Sequence, residues 1–474
     1  MLGDESTSFG EGYFKTSTSH RLRVSLSDAS GLVFAYWEFS TNADNYPGRF
    51  FFDPASLDQG TVIIEQAGVP PLAENWAVLQ APNPTSRLSV LVSDQTGRLL
   101  GQHRLRWPSP AEKRRLLRAW EAMSIAPARW FYVELTTHCN LACPFCPSKN
   151  LQRPRRHMSL DMAQRVFEEV SRYLYGQDLT KGYVKTLPMV FLHVMGEPIL
   201  HPKLPDCIAI ARNVGLAPAV FCNATLLNKK NTARLLRNPP DHLTLSLNVI
   251  SNEGYRTLGT KDDLCNQNSR VVELLTERQN QGVTGMHVDL QYMTSKGRLV
   301  EGIGLIETEQ QAWDLYRAWL SRVRAIKRDR RLDAMSPADP DLVRDVLAER
   351  TDPSSRLPLG NGISLSIKSG CSFGNTMLPE GYEVQPAQYG SCPFMSPFQQ
   401  LSIYVDGSVS FCNLDHENTV NLGNLLDSSI DEIWTGPRLR GIRQAMLNQE
   451  LSEPLCQRCL GTVQPVFVNN GPNR

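Results

Sequence analysis

The sequence predicts an α/β protein built on a parallel sheet, with a β-rich segment before it and a small cysteine-bearing segment after it. Three observations carry this. From about residue 126 to 370, short apolar strand-like runs alternate with helix-like runs, the pattern of a parallel sheet with covering helices. Residues 1 to about 110 instead hold short β-branched or alternating runs separated by turn signals. Seven of the eleven cysteines fall into two spaced groups, one at the start of the α/β segment and one beyond its end.

The β-rich segment comes first. Arg21–Ser27, Leu32–Phe39, Thr61–Gln66, Leu88–Ser93 and Leu99–Leu105 read as strands, with turns at Ser27-Asp28-Ala29-Ser30-Gly31, Asn45-Tyr46-Pro47-Gly48 and Asp94-Gln95-Thr96-Gly97. Such a set suggests a small sandwich-like or barrel domain. Tyr36, Trp37 and Phe50-Phe51-Phe52 read as its core, the alternative being a recognition surface. A polar helix within 111–125 links it to the next segment.

In the α/β segment the strands are Trp130–Leu135, Met189–Val194, Ala219–Asn223, Leu243–Asn248, His287–Tyr292 and Ile363–Ile367. Leu160–Tyr173, Leu204–Val214, Lys229–Arg237, Arg270–Gln281 and Glu309–Ala325 are the helices between them. Six strands make a partial (β/α)6 barrel, since a closed eight-stranded barrel needs more repeats. Lys327–Pro358 is charged and proline-punctuated and reads as an insertion or lid. The expected division is 1–110, 111–125, 126–370 and 371–474.

Composition narrows the function classes. The 474 residues suggest two to four domains. A formal net charge of +1 gives no electrostatic case for nucleic acid. No apolar run reaches the length of a membrane span. The acidic start Met1-Leu2-Gly3-Asp4-Glu5 lacks the basic and apolar regions of a signal peptide, so a cytoplasmic location is expected. Cys207, Cys222 and Cys265 stand singly and read as buried small hydrophobes. The grouped cysteines read as metal ligands rather than a disulfide scaffold.

The first group is Cys139, Cys143 and Cys146, spaced C-x3-C-x2-C after the first α/β strand. Three thiolates on one tight loop suit a 4Fe–4S cluster and leave one iron open for chemistry. The alternative is a zinc knuckle. The loop, with Phe145 just before its last cysteine, resembles the signature of the radical S-adenosylmethionine (SAM) enzymes. That resemblance implies that SAM chelates the open iron and is cleaved to a 5′-deoxyadenosyl radical that removes hydrogen from a substrate.

The other strand ends fit the resemblance. Met195-Gly196-Glu197-Pro198 is similar to the family's Gly-Gly-Glu-Pro turn, which implies that Gly196, Glu197 and Pro198 help hold the methionine ammonium. Cys222-Asn223-Ala224-Thr225-Leu226-Leu227 resembles Thr-Asn-Gly-Thr-Leu-Leu, with Ala224 in a glycine's place. Leu245-Ser246-Leu247-Asn248 resembles Ser-Leu-Asp-Gly, which implies SAM contacts for Ser246 and Asn248. Arg256 is the candidate partner of the SAM carboxylate, a solvated surface arginine being the other reading. Side chains at the carboxyl ends of parallel strands face the site, so Glu134, His193, Asn223 and Gln291 are cavity candidates. His193 and Tyr292 are the candidates for substrate contact or proton transfer, against a buried structural histidine.

The second group is Cys392, Cys412, Cys456 and Cys459. A hairpin centred on Asp406-Gly407 is expected between the first two. Spacing alone leaves a 4Fe–4S cluster and a four-cysteine zinc site open. This stretch resembles the SPASM extension in its shortened twitch form, with Gly407 as the glycine of its C-x9-15-G-x4-C pattern. The resemblance implies two 4Fe–4S clusters in all, one that binds SAM and one auxiliary, and leaves Cys371 over.

The expected activity is radical SAM oxidation of a small polar metabolite, such as a sugar or aminocyclitol, with the auxiliary cluster accepting an electron. The alternative is oxidation, crosslinking or epimerisation of a peptide or protein docked by the N-terminal domain. A non-catalytic iron–sulfur scaffold is disfavoured by the SAM-site motifs. A flavodoxin or ferredoxin is the expected electron donor, with neither nucleic acid nor membrane as partner.

Overall fold

The computed structural model describes the backbone of eight strands within 11–105, then residues 127–176, 187–294, 304–326, 356–360, 362–369, 372–390, 392, 394–447 and 450–466. The linker helix at 111–125, most of Lys327–Pro358 and Cys371 lie outside the described residues. Contacts divide the chain into two compact units. One is Met1–Ala126 with Gln388–Phe394 and Arg443–Ser452; the other is Pro127–Ala387 with Met395–Ile442 and Glu453–Arg474.

In the first unit β1 (Glu11–Lys15), β4 (Pro47–Phe52), β5 (Thr61–Gln66) and β6 (Trp76–Gln80) form one four-stranded sheet in that order. β3 (Val33–Ser40), β2 (Arg21–Ser27), β7 (Leu88–Asp94) and β8 (Leu99–Leu105) form a second. Every pairing is antiparallel. Glu11–Lys15, Pro47–Phe52 and Trp76–Gln80 are strands that the sequence reading did not include.

The second unit is built on one sheet. β9 (Trp130–Val133), β10 (Met189–Phe191), β11 (Ala217–Cys222), β12 (His242–Asn248), β13 (His287–Thr294) and β15 (Ile363–Ser369) pair side by side and parallel. These are the six expected strands. β14 (Leu357–Gly360) closes one edge antiparallel to β15.

The other edge was not foreseen. β17 (Gln400–Ile403), from the C-terminal cysteine segment, pairs parallel with β9. β18 (Ser408–Ser410) and β19 (Gly423–Asn424) follow it antiparallel. The hairpin turn between β17 and β18 places Gly407 at φ +82°, the left-handed conformation that glycine adopts without steric cost. The C-terminal hairpin therefore extends the barrel sheet. β16 (Tyr382–Gln385) and β20 (Thr462–Pro465) pair separately.

Strand parity sorts the side chains. Phe131, Val133, Val190, Leu192, Val220, Leu243, Leu245, Val288, Leu290 and Leu365 are all fully buried. They form the helix-facing layer, as the edge-on contact of Phe131 with Tyr173 of helix Leu160–Gly176 shows. Each such aliphatic or aromatic burial stabilises by about 1.5–3 kcal/mol. The opposite face carries Tyr132, Phe191, His193, Phe221, Ser246 and Gln291, which are only half-buried. Beside them Thr244, Asp289, Ser364 and Ser366 are buried polar groups. An inner face this polar lines a lumen, whereas a filled barrel core would be aliphatic.

Candidate active site

Cys139, Cys143 and Cys146 lie on the loop that leaves β9, and all three are half-buried. Cys139, Cys143 and Phe145 pack against a buried cluster of Leu141, Val249, Tyr255, Leu258, Met293 and Leu305. Cys146 packs against a second cluster of Leu151, Val194, Met195 and Tyr404. The loop is held by backbone contacts: Ala142 N–H donates to Leu258 O at 2.8 Å, and Glu197 N–H to His138 O at 2.7 Å. Arg155 donates to the carbonyls of Thr137 and Ser148. Asn140 Nδ2 donates to Thr225 Oγ1 at 2.8 Å, and Asn223 Nδ2 to Asn140 Oδ1 at 3.0 Å.

Burial raises the Cys143 thiol, and the neighbouring Cys146 and Cys139 raise it further. Three thiols within electrostatic range of one another on an apolar seat suit a cationic cluster that holds them as thiolates. Among the described residues no three His, Cys, Asp or Glu side chains are set to hold a single metal ion. A 4Fe–4S cube binds each thiolate at a different iron, so its ligands stand around it rather than converging.

Gly196 lies at φ +79°, against the backbone of Thr136 and His138. Pro198 begins a buried 3-10 turn, Pro198–Leu200. Glu197, which the motif offers as an ammonium acceptor, has its carboxylate engaged. It accepts from Ile199 N at 3.1 Å and Asn223 N at 2.7 Å, tying the second strand turn to the third. Burial pushes its carboxyl up to about 7. Ala224 keeps φ +63°, so the turn retains a glycine-like conformation despite the methyl group. Asn248, also left-handed at φ +64°, sits at an irregularity in the β12–β13 register, and its Nδ2 donates to Ser246 O at 3.2 Å. Ser246 faces the lumen opposite Gln291.

Two of the candidates, Tyr292 and Glu134, lie elsewhere than the lumen. Tyr292 has the parity of Leu290 and belongs to the helix-facing layer. Its hydroxyl accepts from Trp319 Nε1 at 2.7 Å, and the residue that the pleat presents to the lumen is its neighbour Gln291. Tyr292→Phe should therefore leave SAM cleavage intact, while the unpaired indole N–H costs about 1–3 kcal/mol of stability in a denaturation series. His193 is inside, edge-on to Tyr132 and 4.0 Å from the Phe221 ring centroid. Burial, with Lys368 nearby, brings its imidazole down to about 3. Burial thus disfavours the charged imidazole there. Glu134 is fully buried and paired with Arg153, so it is not a cavity group. Arg256 is exposed on the short helix Asn252–Thr257, whose neighbours Tyr255 and Leu258 pack against Cys139 and Cys143.

At the second group, Cys412 follows β18 and is buried, as is Cys456 on helix Pro454–Cys459, where Cys459 is half-buried. Asn375 Nδ2 donates to the carbonyls of Arg458, Cys459 and Gly461 at 3.0, 3.2 and 3.3 Å, so the 372–377 loop covers this helix end. Cys392 is half-buried, before helix Ser396–Gln399. Tyr132 in the lumen wall lies within electrostatic range of Cys412; burial, and then that thiol, push its phenol up to about 12. Two unpartnered buried atoms, His193 Nδ1 and Gln291 Oε1, were outside what sequence reading reveals.

Six parallel strands with a three-thiol loop leaving the first of them form the arrangement of a radical SAM domain. Residues 133–290 match the Radical SAM superfamily and residues 392–460 match SPASM, an iron–sulfur cluster-binding domain. The chain therefore carries a Radical SAM domain over 133–290 and, after it, a SPASM domain over 392–460. These domains imply SAM, a SAM-binding 4Fe–4S cluster and auxiliary iron–sulfur. Cys139, Cys143 and Cys146 would hold the SAM-binding cluster, which would supply the electron for reductive cleavage of SAM.

Among curated relatives, the chain is 23% identical over 122 residues to a "tungsten-containing aldehyde ferredoxin oxidoreductase cofactor-modifying protein" of Pyrococcus furiosus, covering 26% of this chain and 31% of that one. It is 27% identical over 137 residues to the PqqA peptide cyclase of Gluconobacter oxydans, covering 28% and 34%. The matches thus span about a third of those relatives. Among solved structures it resembles Streptococcus suis SuiB bound to S-adenosylmethionine, with a TM-score of 0.42 and 15% identity, over 70% of this chain and 72% of that one. No described helix is long and apolar enough to cross a membrane.

Proposed function

We propose that this enzyme modifies a side chain of a ribosomally made peptide by hydrogen abstraction in the barrel lumen. The supporting observation is the similarity of 137 residues of the chain to a PqqA peptide cyclase. This favours peptide modification over oxidation of a free sugar or aminocyclitol. The lumen is chemically suited to a peptide side chain: Tyr132, Phe191 and Phe221 offer apolar surface, while Ser246 and Gln291 offer hydrogen bonds. Cys392, Cys412, Cys456 and Cys459 would hold an auxiliary cluster, supplying an electron acceptor that makes the net change an oxidation.

The test is anaerobic turnover with precursor peptides encoded beside the gene, read by mass spectrometry. A peptide that has lost two hydrogens, formed with 5′-deoxyadenosine, is the expected result. Turnover of a free metabolite with every such peptide unchanged would overturn the proposal.

A further inference from the structure

Taking two hydrogens from a side chain removes one hydrogen atom, one electron and one proton. Under the proposed oxidation the atom leaves with 5′-deoxyadenosine and the electron passes to the auxiliary iron–sulfur. The proton is left for a base on the chain.

The two walls of the lumen differ. β9, β10 and β11 present Tyr132, Phe191, His193 and Phe221, whose rings contact one another. β12, β13 and β15 present polar side chains in three rows: His242 beside His287, then Thr244, Asp289 and Ser364, then Ser246, Gln291 and Ser366. Rows on one strand are about 6–7 Å apart. The third row is nearest the carboxyl ends of the strands, the end from which the cysteine loop leaves β9.

Hydrogen bonds run through all three rows. Ser366 Oγ donates to Asp289 Oδ2 at 2.6 Å, Ser364 Oγ donates to Asp289 Oδ1 at 2.7 Å, and His287 Nε2 lies 2.9 Å from Ser364 Oγ. Arg356 Nε stands 3.7 Å from Asp289 Oδ1. Asp289 is buried, while His287 is half-buried and follows the exposed residues Thr284 and Gly285. Among the described lumen-facing strand positions Asp289 is the one acid. The opposite wall offers no comparable base: burial pushes the Tyr132 phenol up to about 12 and brings the His193 imidazole down to about 3. A brace between strands does not need a carboxylate, whose burial costs several kcal/mol.

We infer that Ser366, Asp289, Ser364 and His287 form a proton relay, which carries the proton lost by the oxidised substrate from the lumen to the amino-terminal end of the barrel. The X–H bond beside the radical centre breaks as Ser366 Oγ takes its proton and passes its own to Asp289. Asp289 protonates Ser364 Oγ, which passes its own proton to His287 Nε2, and His287 releases one from Nδ1 to water. The X–H electron pair and the unpaired electron stay behind; two of the three make the new bond and one goes to the auxiliary iron–sulfur. The inference rests on the two-hydrogen oxidation proposed above and not on whether its substrate is a peptide.

The test measures dehydrogenated product per 5′-deoxyadenosine, using the precursor peptide, reconstituted full-length enzyme and dithionite. Asp289→Asn, which cannot take the proton, and Ser366→Ala, which breaks the first link, should each lower that ratio by about 10²-fold, the lower end of what a general base contributes. An unchanged ratio, whether or not both rates fall together, would overturn the inference. A second readout needs no turnover. Burial lowers the His287 imidazole, Arg356, His242 and Arg278 lower it further, and Asp289 raises it. Histidine NMR of full-length Asp289→Asn should therefore show His287 titrating at lower pH than in wild type. An unshifted titration would show that the carboxylate is not coupled to His287 and would overturn the relay. Wild-type products separate the two proposals. Dehydrogenation of a free metabolite with peptides unchanged sinks the peptide reading, and the ratio is then read on that metabolite. A product that keeps all its hydrogens overturns the oxidation and the relay with it.

Discussion

Gly196→Ala is expected to lower dithionite-driven 5′-deoxyadenosine formation by about 10²-fold or more, a penalty of the size that ångström-scale misplacement at a reacting centre produces. The reason is geometric. A Cβ on Gly196 would stand 2.1 Å from Thr136 O, 2.9 Å from Thr136 C and 3.0 Å from His138 O. All three are backbone atoms, so no side chain can rotate away. The residue's φ of +79° adds a strain that alanine does not relieve. The 2.7 Å bond from Glu197 N–H to His138 O lies in the same contact, so relief must displace either the start of the cysteine loop or the turn that faces it. Iron at the second cysteine group should remain, since the contact is formed by the backbone of 136–138 and 196–197. The check is 5′-deoxyadenosine quantified by chromatography beside iron content. Wild-type turnover in the alanine variant would show that this close approach does not position the SAM site.

The cysteine loop and six parallel strands were legible because they depend on short-range pattern: spacing within one loop, and apolar runs between helices. Parity was harder. Gln291 and Tyr292 are adjacent at a strand end, and a one-residue shift exchanges lumen for helix layer. Tyr292 reads as chemical by residue type, but Trp319, far along the chain, claims its hydroxyl. Glu134 misleads in the same way, because its partner Arg153 lies beyond the cysteine loop. The pairing of β17 with β9 joins segments some 270 residues apart, and nothing in either short run specifies that register. Ala224 shows the reverse: an alanine in a glycine's place keeps φ +63°, so the turn's shape outlasts its letter.

Arg153→Met is expected to destabilise the second unit by about 3–5 kcal/mol, because it leaves a buried carboxylate without its partner. Glu134 is 0% exposed and Arg153 15%, and the guanidinium grips both carboxylate oxygens at 2.7 and 2.8 Å. The same arginine donates through Nε to His416 O at 2.7 Å and lies 4.6 Å from the Tyr404 ring centroid. Tyr404 begins the turn between β17 and β18, and Val405 N–H also reaches Glu134 at 3.5 Å. One arginine therefore fastens the segment after the first cysteine group to the strand before it and to the C-terminal hairpin. Glu134→Gln with Arg153→Met removes both charges, and should recover a substantial part of the loss. The single variant also carries a pH signature. Burial already raises the Glu134 carboxyl, and Arg153 is the charge that opposes this. Without it the folded carboxyl lies well above its unfolded value near 4.3, so the folded state binds the extra proton in that window and stability falls as pH rises. The deficit against wild type should be larger at about pH 7.5 than at about pH 5.5, and the double variant should lack this dependence. Urea titrations of the three proteins at both pH values measure it. A single variant as stable as wild type at neutral pH would mean that the pair does not hold these segments together.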